Sequence, residues 1–280
     1  MHADGGVDFA AWARLIDFHV ENGTSGIVVG GTTGESATLA DAELRELTEQ
    51  ACARIRGRIK VIAGAGTSST ATTVERVGWV SRLPVDGVLI VTPAYNRPSQ
   101  EGLFQHYRAA AAASRVPVIA YNVPARTAVD MLPVTVGRIA QLPGVAAVKE
   151  AVASVARVRE ILSQVPPTFA VLSGDDASAR ETIMAGARGV ISVTANVAPR
   201  AMADMIAAAL RADDAGARKL DAGLASLHET LFLEANPIPA KWALARMGLM
   251  EGGLRLPLTE LAVQFRADLE RALQQAGALR

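Results

Sequence analysis

The sequence predicts an α/β fold built on a parallel β-sheet. Two observations lead to this fold class: short apolar, β-branched segments alternate with segments of helical period, and the turns between them are short. Each apolar run is continuous, which is typical of a strand covered on both faces. The alternation fits either a closed (β/α)₈ barrel or an open, doubly wound sheet. The predicted strands are seven in number and begin at Ser25, Lys60, Gly87, Val116, Val145, Phe169 and Gly189.

A helix is predicted before the first of these strands. Residues 22–23, Asn-Gly, end it with a typical C-terminal signal. A second helix is predicted after the first strand, with a capping box from Thr38 to Asp41. The apolar face of the first helix consists of Phe9, Trp12, Ile16 and Val20.

Polar and glycine-rich segments follow the predicted strands at their carboxyl ends, namely "GGTTGE", "TPAYNRP", "YNVPART", "KEA", "SGDD" and "TANV". In a parallel barrel these ends share one face, which carries the active site. After Arg211 the patterns are helical only. We therefore expect a barrel over residues 1–212 and a C-terminal helical region over residues 213–280.

The composition argues against several classes of partner. Lys plus Arg and Asp plus Glu both number 28, and no basic stripe is interleaved with aromatic residues, so we expect no nucleic-acid partner. No uncharged apolar run reaches about 18 residues, so we expect a soluble protein without a membrane partner. The single cysteine, Cys52, allows no intrachain disulfide and favours a cytoplasmic location.

Common cofactor and metal motifs are incomplete. "GAGTSS" has Ser69 where a dinucleotide fingerprint needs its third glycine, and the four histidines have no ligand spacing, so we expect no cofactor and no metal. Asp175 and Asp176 fit either a cation site or a helix N-cap, and we favour the cap. "GGTTGES" is no phosphate loop, but Thr32 and Thr33 could present hydroxyls and backbone amides to a carboxylate.

Lys149 interrupts the apolar strand "GVAAVKEA". It either extends outward to solvent beside Glu150 or lies buried, where its pKa falls and the neutral amine can attack a ketone. Tyr121, at the end of the preceding strand, could transfer protons in such a reaction. Arg126 follows it and could bind a carboxylate with its guanidinium fork. Taken singly, Tyr121 fits a half-buried aromatic residue at a strand end better, and Arg126 fits an ordinary surface arginine better.

Eight motifs resemble, in order and spacing over essentially the whole chain, the 4-hydroxy-tetrahydrodipicolinate synthase (dihydrodipicolinate synthase) family of the class I pyruvate aldolase and lyase superfamily. The resemblance implies a (β/α)₈ TIM barrel with a C-terminal helical region, usually assembled as a homotetramer. It implies condensation of pyruvate with L-aspartate 4-semialdehyde through a lysine Schiff base, in diaminopimelate and lysine biosynthesis. The motifs are "GGTTGESATL", "VTPAYNRPSQEGL", "YNVPART", "VKEA", "LSGDDA", "GVISVTANV", "NPIPAKWAL" and "LRLPLTEL".

The resemblance also assigns roles to single residues. Lys149 matches the Schiff-base lysine and Tyr121 the general acid/base. Thr32 and Tyr95 would complete a proton relay, with Tyr95 reaching into the neighbouring subunit. The remaining matches concern substrate binding: Thr33, Ile191 and Gly174 for the pyruvate part, and Arg126 for the carboxylate of the semialdehyde.

Arg126 separates the synthase from its relatives, since sialic acid lyases resemble this sequence elsewhere but lack an arginine there. Two alternatives stay open. One is another Schiff-base pyruvate aldolase, of the 2-keto-3-deoxy sugar acid or N-acetylneuraminate type. The other is a non-catalytic paralogue on the same fold.

The sequence departs from the family pattern in two places. Ala94 replaces the first tyrosine of "TPYYN", and the positions that usually grip the lysine inhibitor differ as well, so we expect weak or absent feedback inhibition. The family's first strand, which ends in "VTPM", has no counterpart before Met1, so we expect that the sequence begins at an internal methionine and that the barrel is poorly stable without this strand. The changed inhibitor positions are Asp41, Leu44, Ser68 and Thr72.

Overall fold

The computed structural model describes residues 1–279 and has an α/β architecture. Within these residues six strands form one parallel sheet, in which spatial order follows sequence order. The strands are β1 (Gly26–Val29), β2 (Lys60–Gly64), β3 (Gly87–Val91), β4 (Val118–Asn122), β5 (Val145–Glu150) and β6 (Ala170–Ser173).

Thirteen α-helices lie in the same range. They are α1 (Phe9–Glu21), α2 (Asp41–Ile55), α3 (Thr70–Val80), α4 (Gln100–Ala113), α5 (Pro124–Thr127), α6 (Pro133–Ile139), α7 (Val155–Leu162), α8 (Ala179–Met184), α9 (Pro199–Leu210), α10 (Asp214–Ala222), α11 (Ala225–Thr230), α12 (Ile238–Arg246) and α13 (Val263–Gln275). Within residues 1–279, no helix is both long enough and apolar enough to cross a bilayer.

The chain divides into two compact units. One consists of residues 1–60 together with the chain from Ser192 onward, and the other of residues 61–191. The first unit holds α1, β1 and α2, followed by the helices α9 to α13. In it, Lys60 N donates to Ser25 O at 3.0 Å, where β2 begins beside β1. After residue 196 the described part of this unit is helical apart from its connections, as the sequence pattern predicts.

The second unit contains most of the sheet and the helices α3 to α8. All five residues of β4 are buried, and β3 is buried from Gly87 to Ile90, as expected for parallel strands covered on both faces. Serine side chains begin three of its helices. Ser69, Ser99 and Ser154 accept from the backbone N–H three residues later and cap α3, α4 and α7.

The seventh predicted strand is not a strand. After Gly189 the chain makes a single parallel bridge, between Val190 and Ser173, and then enters a 3₁₀-helix at Thr194–Asn196. Local hydrogen bonds explain the early end of pairing, because Ser192 Oγ accepts from Ala195 N at 2.8 Å. The described structure therefore has six strands where the sequence predicts seven.

The first predicted helix is confirmed as α1. The predicted capping box of the second helix, from Thr38 to Asp41, is wrong. Thr38 Oγ1 donates to Glu35 O at 3.1 Å and so belongs to the preceding turn. The N-cap of α2 is Ala40, whose backbone N–H donates to the Glu43 carboxylate at 2.9 Å. Asp41 is the first residue of the helix.

Candidate active site

An irregularity in strand pairing brings Tyr121 and Lys149 side by side. The register of β4 and β5 begins at Val118 opposite Val145, then shifts by one residue before Ile119. As a result Tyr121 lies opposite Lys149, whereas an unshifted register would place it opposite the preceding valine. Tyr121 and Lys149 are called the reactive pair below.

Lys149 is buried and in contact with Tyr121. The residue is 8% exposed, and its Nζ lies 4.2 Å from the centroid of the Tyr121 ring. The alternative in which this lysine extends to solvent is therefore wrong. On β6, the register partner of Lys149 is the apolar residue Leu172.

Burial lowers the pKa of Lys149 to about 8. The charge of Asp176 opposes this shift, and the charge of Arg126 adds to it. At pH 7 a pKa of about 8 leaves about a tenth of the lysine as neutral amine, against about 1 in 3,000 for an ordinary lysine. The site thus supplies a nucleophile that is ready at neutral pH.

Gly174 lies next to this lysine on the β6 side, and Ile191 is hydrogen-bonded to the end of β6. A Cβ on Gly174 would come within 3.0 Å of Lys149 Cε and 2.9 Å of Ala151 Cβ, so the backbone approaches the lysine more closely than any side chain would permit. Gly174 N donates to Glu150 O at 2.7 Å, and Ile191 N donates to Ser173 O at 2.9 Å. These contacts hold both residues at the carboxyl ends of β5 and β6.

Arg126 lies on the short helix α5, which begins at Pro124 directly after β4. Its backbone N–H donates to Val123 O at 2.9 Å, and its side chain is exposed. The positive charge of Arg126 lowers the pKa of Lys149. The guanidinium is therefore exposed to solvent and electrostatically coupled to the reactive pair.

Tyr95 lies in the loop between β3 and α4 and is 94% exposed. Its φ of +73° is rare for a non-glycine residue and is strained. The next two residues anchor this conformation: Asn96 Nδ2 donates to Ser68 O at 2.9 Å, and Arg97 Nε donates to Ala128 O at 3.2 Å. The loop therefore leaves the side chain of Tyr95 exposed to solvent.

Thr32 and Thr33 belong to the first unit, in the turn after β1. Asn236 Nδ2 donates to Thr33 Oγ1 at 3.0 Å. Glu35, with φ of +56°, is buried in the same turn; its carboxylate pairs with Lys241 and accepts from Arg255 N at 3.0 Å. The turn that bears the two threonines is thus held by the segment "NPIPAKW" and by residue 255.

Asp175 and Asp176 divide between two roles. Asp175 Oδ2 accepts from Ser178 N at 2.9 Å and from Ser178 Oγ at 2.6 Å. The N-cap of α8 is Ser178, so the predicted aspartate cap is wrong by position, although Asp175 does stabilise the turn. Asp176 is buried and its charge acts on Lys149. Within residues 1–279, no three His, Cys, Asp or Glu side chains cluster as a metal site.

Comparison with known proteins places the chain in a family. The model of the Dihydrodipicolinate synthetase family matches residues 1–276. The chain belongs to the dihydrodipicolinate synthetase family. Among curated members, 4-hydroxy-tetrahydrodipicolinate synthases from Methylococcus capsulatus and Stutzerimonas stutzeri are each 49% identical over 279 residues, covering 100% of this chain and 96% of the relative.

Solved structures of the family have the same fold. The Acinetobacter baumannii dihydrodipicolinate synthase complexed with pyruvate has a TM-score of 0.98 and 45% identity, covering 100% of this chain and 96% of that one. The Aquifex aeolicus enzyme has a TM-score of 0.96 and 40% identity, covering 98% and 94%. A monomeric variant of the synthase has a TM-score of 0.96 and 38% identity, covering 99% and 93%.

Sequence reasoning missed several residues of this family member that support the site. Asn236 and Asp176 lie within the motifs "NPIPAKWAL" and "LSGDDA", but the motifs do not indicate that Asn236 donates to Thr33 or that the charge of Asp176 acts on Lys149. Glu150, for which the sequence pattern predicts no role, is 1% exposed. The motif "KEA" does indicate a buried partner for Glu150, because a carboxylate beside a buried strand residue needs a hydrogen-bonding or charged partner of its own.

The lowered pKa of Lys149 predicts a gain in stability on its removal. Below pH 8 the folded protein must bury a cation, and this cost disappears as pH rises from about 8 toward 10.5, where the unfolded chain also loses the proton. We expect Lys149→Met to unfold with a free energy about 3 kcal/mol higher than wild type at pH 7, with a smaller difference at pH 9.5. Urea unfolding at both pH values measures the difference. A variant less stable than wild type at pH 7 would contradict the shift.

Proposed function

We propose that the chain is a 4-hydroxy-tetrahydrodipicolinate synthase, a lyase that condenses pyruvate with L-aspartate 4-semialdehyde in diaminopimelate and lysine biosynthesis. The observation that carries the proposal is the reactive pair: a buried lysine with a pKa of about 8, in contact with a tyrosine at the end of the neighbouring strand. Family membership and the synthase relatives support the same reaction.

Lys149 would act as the nucleophile. Its neutral amine adds to the C2 carbonyl of pyruvate and forms a carbinolamine, and loss of water gives a Schiff base. Tyr121 would move protons in these steps, because its ring lies against Lys149 Nζ. Loss of a proton from C3 then gives an enamine, whose C3 attacks the aldehyde carbon of the second substrate. The protonated imine formed on Lys149 would carry a positive charge, and the carboxylate of Asp176 would stabilise this charge.

Other residues would bind and relay. We propose Thr32 and Tyr95 for the proton relay of the family, and Thr33, Gly174 and Ile191 for the pyruvate part of the imine. The hydrogen bond from Asn236 supports the role of Thr33, because it orients the hydroxyl. Borohydride trapping tests the proposal at the first step: pyruvate should give a reduced adduct on Lys149, and coupled assay with the semialdehyde should give turnover. Absence of both would overturn it.

Arg126 would select the second substrate. Its fork is suited to two parallel hydrogen bonds with a carboxylate, and its place on α5 puts it one short turn beyond Tyr121. A carboxylate bound there would leave the aldehyde end of the substrate free to reach the enamine.

We propose a cytoplasmic homotetramer in which the sheet forms part of a (β/α)₈ barrel and residues 213–280 form a C-terminal helical region. The single cysteine supports the location, and the TM-scores to family structures support the barrel. The exposed, strained Tyr95 supports an assembly in which another subunit covers it. Sedimentation velocity should show the tetramer, and a monomer at assay concentrations would contradict it.

Weak feedback inhibition is a further expectation of this function. None of the changed positions keeps the side chain that the family usually has there for binding the inhibitor, and Leu44 among them is 4% exposed and part of the core of its unit. We expect activity to persist at lysine concentrations that inhibit sensitive relatives. Initial rates across a lysine titration measure it, and a fall to half activity at submillimolar lysine would contradict it.

A further inference from the structure

We propose that Asn122, Glu150 and Arg157 form a polar clamp that positions the reactive pair; the proposal rests on the proposed function. Asn122 directly follows Tyr121 in β4, and Glu150 directly follows Lys149 in β5. Consecutive residues of a strand face opposite sides of the sheet. The clamp therefore lies behind the face that carries the chemistry and does not touch the substrate.

The carboxylate of Glu150 is the centre of the clamp. Its side chain is 0% exposed, and it accepts hydrogen bonds from Asn122 Nδ2 at 3.1 Å, Arg157 Nε at 3.0 Å and Val152 N at 2.8 Å. Asn122 is also buried, and its Oδ1 accepts from Met131 N at 2.9 Å. Both strand ends are thus tied to each other and to the loops that follow them.

Arg157, on α7, completes the clamp from the helix layer. It donates to Asp130 through two nitrogens, at 3.0 and 2.6 Å, and to Met131 O at 2.8 Å. Burial raises the pKa of Glu150, and the charge of Arg157 opposes that shift. The guanidinium therefore compensates a buried carboxylate that would otherwise be costly to keep ionised.

The register of β4 and β5 explains why a clamp matters for catalysis. The register shifts by one residue at the start of β4, and without that shift Tyr121 would lie opposite Val148 in place of the lysine. Asn122 and Glu150 face each other immediately after the reactive pair. Their hydrogen bonds hold the shifted register where the chemistry requires it, which makes the clamp residues positioning residues.

The test compares Arg157→Met with the matched control Arg138→Met. Arg138 is exposed on α6 and pairs with Glu101 at the surface. We expect Arg157→Met to slow formation of the borohydride-trappable pyruvate imine by about 10- to 100-fold per active site, because misplacement on the order of 1 Å has this effect. The final trapped fraction and the KM for the semialdehyde should stay near the wild-type values, and Arg138→Met should match wild type throughout.

Arg157→Met leaves the buried Glu150 carboxylate uncompensated, which favours unfolding. Two further variants keep the test decisive if Arg157→Met does not fold. The double variant Glu150→Gln/Arg157→Met removes both charges and keeps an amide beside Asn122. Arg157→Lys keeps the charge but loses the fork. We expect slow imine formation in the double variant and partial rescue in Arg157→Lys.

The outcomes separate the clamp from the proposed function. Wild-type protein that forms no pyruvate adduct would overturn the function and the clamp together. Wild-type protein that forms the adduct, with folded clamp variants that form it equally fast and only melt at lower temperature, would overturn the clamp alone. Slower imine formation per trapped site, partly restored in Arg157→Lys, supports the clamp. A purely structural role would change the folded fraction of the protein and not the rate of imine formation per site.

Discussion

Lys149→Ala is expected to abolish trapping of pyruvate by borohydride and to lower kcat/KM for the condensation by at least about a thousandfold. The reason is that in the proposed mechanism this amine is the nucleophile of the covalent step, and the loss of a covalent nucleophile typically has effects of this size. The measurement combines intact-mass analysis after trapping with the coupled assay. Lys219→Ala on α10, an exposed lysine, is the matched control and should keep both activities.

This variant also separates the enzyme from a non-catalytic paralogue. A paralogue that binds pyruvate without a covalent step would give no adduct in the wild type, so the variant would change nothing. Trapping that persists in Lys149→Ala would place the imine on a different lysine and would contradict the mechanism. The variant should fold, because removal of a buried cation relieves a cost, and urea unfolding provides the check.

The strands were predictable where burial leaves a strong pattern. β3 and β4 are continuous apolar runs, and both occur where the sequence predicts them. The last predicted strand does not form, because the side chains of Ser192 and Asn196 hydrogen-bond to backbone groups of the same segment. The hydrophobic periodicity of the sequence does not predict such local hydrogen bonds. Thr38 does not cap α2 for a similar reason, since its hydroxyl donates to Glu35 O in the turn before the helix.

Much of the candidate site could be proposed from the sequence, but not the geometry of the reactive pair. Residue types at strand ends indicate Lys149 and Tyr121, yet their adjacency depends on a one-residue register shift between β4 and β5. Such a shift is set by packing across strands and has no local signature. The burial of Glu150 is equally non-local, because its partner Arg157 comes from α7 and its second partner Asn122 from the neighbouring strand.

Arg126→Ala is expected to lower kcat/KM for the semialdehyde by about 100-fold or more, while the wild-type extent of pyruvate trapping is retained. A guanidinium that binds a carboxylate makes charge-assisted hydrogen bonds, each worth about 1.5–3 kcal/mol, and about 1.4 kcal/mol corresponds to a factor of ten. In the proposed mechanism pyruvate reacts at Lys149 before the second substrate binds, so trapping should depend on Arg126 only through its charge. Removal of that charge raises the pKa of Lys149 somewhat and should slow trapping slightly at pH 7.

Two companion variants separate the fork from the charge. Arg126→Lys keeps a cation and should restore the trapping rate but not the affinity for the semialdehyde, because a lysine cannot make two parallel hydrogen bonds. Arg159→Ala, an exposed arginine on α7, is the matched control and should leave both steps unchanged. If Arg126→Ala turns over the semialdehyde at the wild-type rate, the assignment of the semialdehyde as second substrate is wrong. The alternative function, another Schiff-base pyruvate aldolase, would then be favoured. Equal losses in trapping and in turnover would instead place the effect of Arg126 on Lys149 itself, since only the second step should depend on the carboxylate of the second substrate.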